Sequence, residues 1–206
     1  MHIHTIIAAG LCAALLGGCA SVAPGQGAPS ASAPLASYRE NFDTAGRLSV
    51  NYKLNGNPES LTGKFTWAQT PARLDVTLSS PMATIATISV TPQSATLVQA
   101  DKAPRTAPDL ESLTTSALGW SLPVSGLREW LQGYATAADG SRFIASASSN
   151  TVTTRDGWRL RFVSWQTDAA GRPAPKRIDA ERDAGAGAGA KAAEELAIRI
   201  VLDGPV

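Results

Sequence analysis

From Gly46 onward the chain alternates with a period of two, and this restricts it to a sheet with one dry face. Gly46, Leu48, Val50, Tyr52 and Leu54 fall on one side, with Arg47, Ser49, Asn51 and Lys53 between them. Successive side chains of a strand point to opposite faces, so this phase belongs to a half-buried strand and not to a helix. Asn55-Gly56-Asn57-Pro58 then supplies a turn, Asn-Gly being the strongest short hairpin signal. The phase resumes in Leu61, Gly63, Phe65 and Trp67 and again, after Thr70-Pro71, in Leu74, Val76 and Leu78. Three consecutive antiparallel strands with a common apolar face are predicted.

Ser79-Ser80-Pro81-Met82-Ala83 breaks the pattern before a strand over Thr84 to Thr91, and another is predicted around Ala95 to Gln99. Further strands fit Phe143 to Ala147, Thr151 to Thr154, Gly157 to Trp165, Lys176 to Ala180 and Leu196 to Leu202. Between the two groups, Thr106 to Leu118 reads as a helix, with Thr106 and Asp109 suiting a capping box. A second short helix is predicted from Ser125, as N-cap, to Gly133, as the residue just past its end. The Ala/Gly run at 184–193 reads as an inserted hairpin loop. About ten one-sided strands with two short helices give a mainly β protein, a curved antiparallel sheet or open barrel under a helical lid. Gly63, Ala145 and Ala147 on inward positions leave space, while Trp67, Trp130 and Trp158 offer broad apolar surfaces. A hollow interior and a solid one with small-large packing both satisfy that pattern.

Function is narrowed by where the rare residues fall. Both histidines, His2 and His4, and both cysteines, Cys12 and Cys19, lie in the first nineteen positions. If that segment is a leader, the mature chain has no histidine, which excludes Ser-His-Asp and Cys-His catalysis and the usual zinc sites. Asp109, Glu111 and Glu129 form no carboxylate pair suited to glycoside hydrolysis. A net charge of +1 offers no field for nucleic acid. Arg39, Arg47 and Arg73 read as solvated strand faces, with a basic rim for an acidic partner as the alternative. No catalytic residue, metal or cofactor is expected.

Ile3 to Gly18 is almost wholly apolar and is followed by small residues, as in an export signal. Leu15-Leu16-Gly17-Gly18-Cys19 resembles the lipobox of bacterial lipoproteins, with His2 and His4 where Lys or Arg is usual. That resemblance implies cleavage before Cys19 and acylation of its thiol and new amine. Each buried methylene contributes about 0.8 kcal/mol, and stable anchoring takes more than one chain, which a triacylated cysteine provides. Ala20 in place of Asp implies export to the outer membrane. Ala20 to Ser37 carries no charge and is rich in Ala, Ser, Pro and Gly, the composition of a tether. The expected organisation is a signal peptide at 1–18, an acylated Cys19 and tether at 19–37, and a folded domain at 38–206.

Several segments in order then resemble one family. They are Gly46-Arg47-Leu48-Ser49-Val50, Phe65-Thr66-Trp67, Leu78-Ser79-Ser80-Pro81-Met82, Leu118-Gly119-Trp120-Ser121-Leu122-Pro123-Val124 and Leu127-Arg128-Glu129-Trp130-Leu131-Gln132-Gly133. From Tyr38 to the C-terminus the chain is similar to LolB, the outer-membrane lipoproteins that receive other lipoproteins from the periplasmic carrier LolA and insert them into the outer membrane. The resemblance implies an unclosed barrel of about eleven strands, lidded by helices over a hydrophobic cavity for acyl chains. It implies a monomer whose partners are LolA, acylated cargo and outer-membrane lipid. It also places Met82 as the apolar residue of a membrane-inserting loop, and Trp67, Trp130, Trp158, Phe65, Leu78 and Leu131 on the acyl-binding wall. Trp120 reads as a packing residue of the lid. The alternatives are a LolA-like soluble carrier, a tethered lipid-binding module and a solid-cored structural lipoprotein.

Overall fold

The computed structural model describes residues 34–54, 56–118, 123–183 and 195–204. The leader with Cys19, residue Asn55, the Trp120 link and the Ala/Gly run at 184–193 lie outside the described residues. In chain order the elements are β1 (Phe42–Leu54), β2 (Asn57–Gln69), β3 (Leu74–Ser79), β4 (Thr84–Val90), β5 (Ala95–Gln99) and β6 (Arg105–Ala107). The helices α1 (Leu110–Leu118) and α2 (Val124–Trp130) follow. Then come β7 (Tyr134–Thr136), β8 (Arg142–Ile144), β9 (Thr151–Thr153), β10 (Arg159–Thr167), β11 (Pro173–Asp183) and β12 (Glu195–Leu202).

Ten of these strands form one antiparallel sheet in the order β6-β5-β4-β3-β2-β1-β12-β11-β10-β9, and β7 pairs with β8. The short β7–β8 hairpin reaches the main sheet through a bridge between Ala137 and Thr154. Edges β6 and β9 do not pair with each other, so the sheet curls without closing. The described strands thus number twelve, ten of them in the continuous sheet, against the eleven the family resemblance implied.

The register confirms the alternation. Val50 stands opposite Leu61 on one side and Ile198 on the other, and Ile198 opposite Ala180. These residues share the concave face, where Val50, Leu160, Phe162, Ile178 and Ala180 are fully buried. Trp130 and Trp158 meet edge to face with ring centroids 5.7 Å apart, the preferred arrangement for aromatic quadrupoles.

Gly46 shows how closely the sheet is packed. A Cβ there would press on the Val201 carbonyl and lie 2.9 Å from the Phe65 ring. Gly46→Ala is therefore expected to destabilise the fold by about 1–3 kcal/mol, as overpacking does. A lower urea midpoint at unchanged slope is the check.

The helices start differently from the sequence expectation. Thr106 belongs to β6, its hydroxyl 3.3 Å from that of Thr96, and α1 begins only at Leu110. Asp109 is the cap, accepting the Ser112 N–H at 2.7 Å. Pro108 is the reason, because the residue before a proline is driven to extended conformation. Likewise α2 begins at Val124, with Pro123 as its N-cap and no side-chain capping bond there, and Ser125 lies inside the helix. Gly133 does end that region with φ +84, and Leu35 packs against the space a side chain there would fill. Ala36 donates its N–H to the Pro173 carbonyl at 3.3 Å, so the chain is already held to the body within the segment assigned to the tether.

On the convex face, Asp179 of β11 is shared by three arginines from three adjacent strands. Arg177 reaches its carboxylate at 2.7 and 3.0 Å, Arg161 at 3.3 Å and Arg199 at 3.4 Å. Burial alone would raise the Asp179 carboxyl, but Arg177, with Arg161 and Arg199 beside it, holds it below the ordinary carboxylate range. A depressed folded value means the stabilisation is complete above the unfolded pKa, about 4, and is lost as pH falls through the lower folded one. Asp179→Asn is thus expected to be less stable than the parent near neutrality, with the gap closing as the pH drops below about 4. Urea titrations over a pH series read this out.

Candidate functional site

An apolar cavity of about 160 Å³ lies between the concave face of β1–β5 and the lid. Its sheet side is formed by Val50 and Leu61, by Phe65 and Trp67 of β2, by Leu78 of β3, and by Ile85, Ala86 and Ile88 of β4. The lid closes it with Leu113 and Thr114 of α1, Leu127 of α2, and Leu131 just beyond. Of the residues expected on the wall, the structure brings Phe65, Trp67, Leu78 and Leu131 to it. Trp130 and Trp158 line none of it: α2 turns Leu127 toward the cavity and the Trp130 indole away, onto Trp158. The Arg182 guanidinium covers Trp158 at 4.8 Å. Gly63 and Ala145 are also off the wall, and a side chain at Gly63 would meet Leu78 and the Ser79 carbonyl.

Gln99 and Thr114 are the polar residues of an otherwise apolar lining, and the polar atoms of Trp67 and Thr114 are bonded within the protein. The Trp67 indole donates to Gln69 Oε1 at 2.8 Å, and Gln69 Nε2 donates to the Arg39 carbonyl at 3.3 Å. The Thr114 hydroxyl donates back to the Leu110 carbonyl at 2.9 Å. The first of these links continues into Gln132, which accepts the Arg39 N–H at 2.8 Å and donates to its carbonyl at 3.0 Å. Tyr134 donates its hydroxyl to the Ala36 carbonyl at 2.9 Å. The incoming chain is thereby fixed next to the wall it supports. Gln69 and Gln132 were missed from sequence, although Gln69 continues the inward phase of Phe65 and Trp67 and is 1% exposed.

Met82 occupies the tip of the β3–β4 hairpin and is 96% exposed. The turn beneath it is firmly closed: Ser80 donates its N–H to the Ala83 carbonyl at 2.9 Å, and its hydroxyl accepts the Ala83 N–H at 3.2 Å. Pro81 presets the backbone of the first turn residue. The same hairpin that carries Met82 outward thus lines the cavity with Leu78, Ile85 and Ala86. Among the described residues, no group of three His, Cys, Asp or Glu is placed to hold a metal ion.

An unclosed antiparallel sheet wrapped on a dry cavity, with helices as its roof, defines a half-barrel of the kind that can enclose hydrocarbon. A family model described as Outer membrane lipoprotein LolB matches residues 40–204. The chain belongs to that family. It is 37% identical over 191 residues to the outer-membrane lipoprotein LolB of Cupriavidus necator, covering 92% of this chain and 90% of that one. The Cupriavidus metallidurans LolB is 38% identical over 194 residues, with 91% and 89% covered. The Xanthomonas euvesicatoria LolB is 28% identical over 199 residues, with 86% and 90% covered. Among solved structures, a LolA superfamily protein from Nitrosomonas europaea is similar with a TM-score of 0.44 at 8% identity, covering 80% of this chain and 86% of that one.

Proposed function

We propose that this protein is held at the outer membrane by an acylated Cys19, accepts acylated lipoproteins from the carrier LolA, and passes their acyl chains into the bilayer. It does so as a monomer and without bond-making chemistry. One observation carries the reading: the β3–β4 hairpin is both a wall of the dry cavity and the mount of an almost fully exposed methionine. A chain lying against Leu78 and Ala86 is thus on the same two strands as the group that would enter the membrane.

The driving force is the covering of hydrocarbon. Each Å² of apolar surface left in water costs about 25 cal/mol, so the route must keep the chains covered from carrier to cavity to bilayer. At about 160 Å³ the cavity has room for little more than one small ring, since an apolar void of about 150 Å³ takes up benzene. Acceptance of whole acyl chains therefore requires the lid to lift. The lid side to be lifted is Leu113 and Thr114 of α1 with Leu127 of α2 and Leu131.

The test mixes a mature form lacking Cys19 with carrier already loaded with an acylated lipoprotein. Cargo is expected to redistribute onto this protein. Cargo that stays on the carrier while the protein is folded would overturn the receptor reading and leave a tethered lipid-binding module.

A further inference from the structure

Neither the cavity nor the Met82 turn uses the charge on the convex face. Starting from Ser79, the last residue of β3 before the turn, the in-register neighbours on the next two strands are Lys64 and Arg47. Arg47 stands opposite Val201 on β12, and Val201 opposite Arg177 on β11. Two residues further along, Arg199, Asp179 and Arg161 stand side by side on β12, β11 and β10. Within these two rows five cations surround one carboxylate, and the acids further along the same strands, Glu181, Asp183 and Glu195, are paired with Arg159 and Lys53.

The arrangement is more than a set of strand salt bridges. Asp179 neutralises one guanidinium and is held by three. Its side chain is 10% exposed, whereas those of Arg161 and Arg199 are 60% and 59% exposed. A buried carboxylate that braces three guanidiniums keeps their forks spread while leaving surplus positive charge at the surface. Planar forks held in this way are suited to phosphate oxygens, which they bind bidentately. Val163, two residues beyond Arg161, is an exposed apolar side chain on the same strand. The patch is broad, spread over β2, β1, β12, β11 and β10, and begins at the foot of the turn that carries Met82.

We propose that this face lies on an anionic lipid surface, with lipid phosphates taken up by Arg161, Arg177 and Arg199, so that the barrel is laid against the bilayer with the Met82 turn at the membrane. The proposal rests on the reading of the chain as a tethered receptor. A convex patch of cations with an apolar residue among them matches an anionic membrane surface in charge. Each cation near an anionic surface raises residence there about fivefold, so the patch decides which way a tethered body faces.

The test uses the mature acylated protein in vesicles, with Val163→Cys labelled by a polarity-sensitive dye. Cys12 leaves with the leader and the Cys19 sulfur carries the anchor, so the introduced thiol is the single free one. In vesicles containing phosphatidylglycerol the dye is expected to shift to the blue and to be shielded from aqueous iodide. In phosphatidylcholine vesicles it is expected to remain quenched. Arg161→Glu with Arg199→Glu removes the shielding without changing vesicle flotation, and Lys64→Glu with Arg47→Glu, which leaves the Asp179 bridges untouched, weakens it. Equal quenching in both vesicles, with normal flotation, overturns this proposal alone. A chain that fails to float removes the tethered reading and this proposal with it. Shielding by loaded carrier with no vesicle present would replace the lipid by a protein partner and overturn it as well.

Discussion

Met82→Glu is expected to accept cargo from the carrier as the parent does and to deliver it into vesicles about a hundredfold more slowly. The factor follows from the cost of an ionised acidic or basic side chain in hydrocarbon, about 2.5–3.5 kcal/mol, at roughly 1.4 kcal/mol for each tenfold in rate. Acceptance is spared because the side chain is 96% exposed and remote from the wall. Folding is spared because the turn is closed by Ser80 and Ala83, whose bonds do not involve the Met82 side chain. Surface changes of this type move stability by about half a kcal/mol at most. Met82→Leu, apolar and of similar size, is expected to deliver at the parental rate. The measurement is a split one, with cargo bound at equilibrium on one side and cargo appearing in vesicles on the other. Delivery by Met82→Glu at the parental rate would remove the turn from the mechanism.

Ala86→Phe is expected to abolish acceptance while leaving the protein folded. Ala86 lies on the floor of the cavity, 8% exposed, between Ile85 and Ile88. Phenylalanine at this position adds one benzene ring, and a void of about 150 Å³ is the size that takes up benzene. The substitution therefore fills what is empty instead of displacing what is packed, and stability is expected to hold or rise by about 0.5–2 kcal/mol. A solvent-sensitive apolar dye and the carrier-transfer assay should both fall at least tenfold, with a thermal midpoint no lower than that of the parent. This combination separates a binding cavity from a packing defect. In a structural void, filling would raise stability and leave transfer unchanged.

How far the sequence carries depends on whether one residue or an arrangement decides the outcome. β1, β2 and β12 were legible because each has one face on the core and the other in water, so Val50, Phe65 and Ile198 alternate with Asn51, Lys64 and Arg199. β6 and β7 have three residues each and no room to show a period. The helical signal at Thr106 was misleading although the contrary signal stood two residues away, in Pro108. The tryptophans show a different limit. Trp67, Trp130 and Trp158 are all at most 3% exposed, and an apolar side chain against a void has the same local sequence as one against another ring. Only the turn of α2, which aims Leu127 inward and Trp130 toward Trp158, separates them. Gln69 could have been found, as a polar residue in an inward position beside a tryptophan that needs an acceptor. The bracing of Asp179 could not, since it joins strands whose order in the sheet is not their order in the chain.

The measurement closest to the central claim is quenching of tryptophan fluorescence by cargo carrying brominated acyl chains. Among the described tryptophans Trp67 is the one on the cavity wall, and Trp158 is buried off that wall, against Trp130. Entry of the chains into the cavity predicts strong quenching on transfer from the carrier, most of it lost in Trp67→Phe and all of it lost in Ala86→Phe. Undiminished quenching in Ala86→Phe, or quenching indifferent to Trp67, would mean that the chains bind elsewhere and that the cavity is not the site.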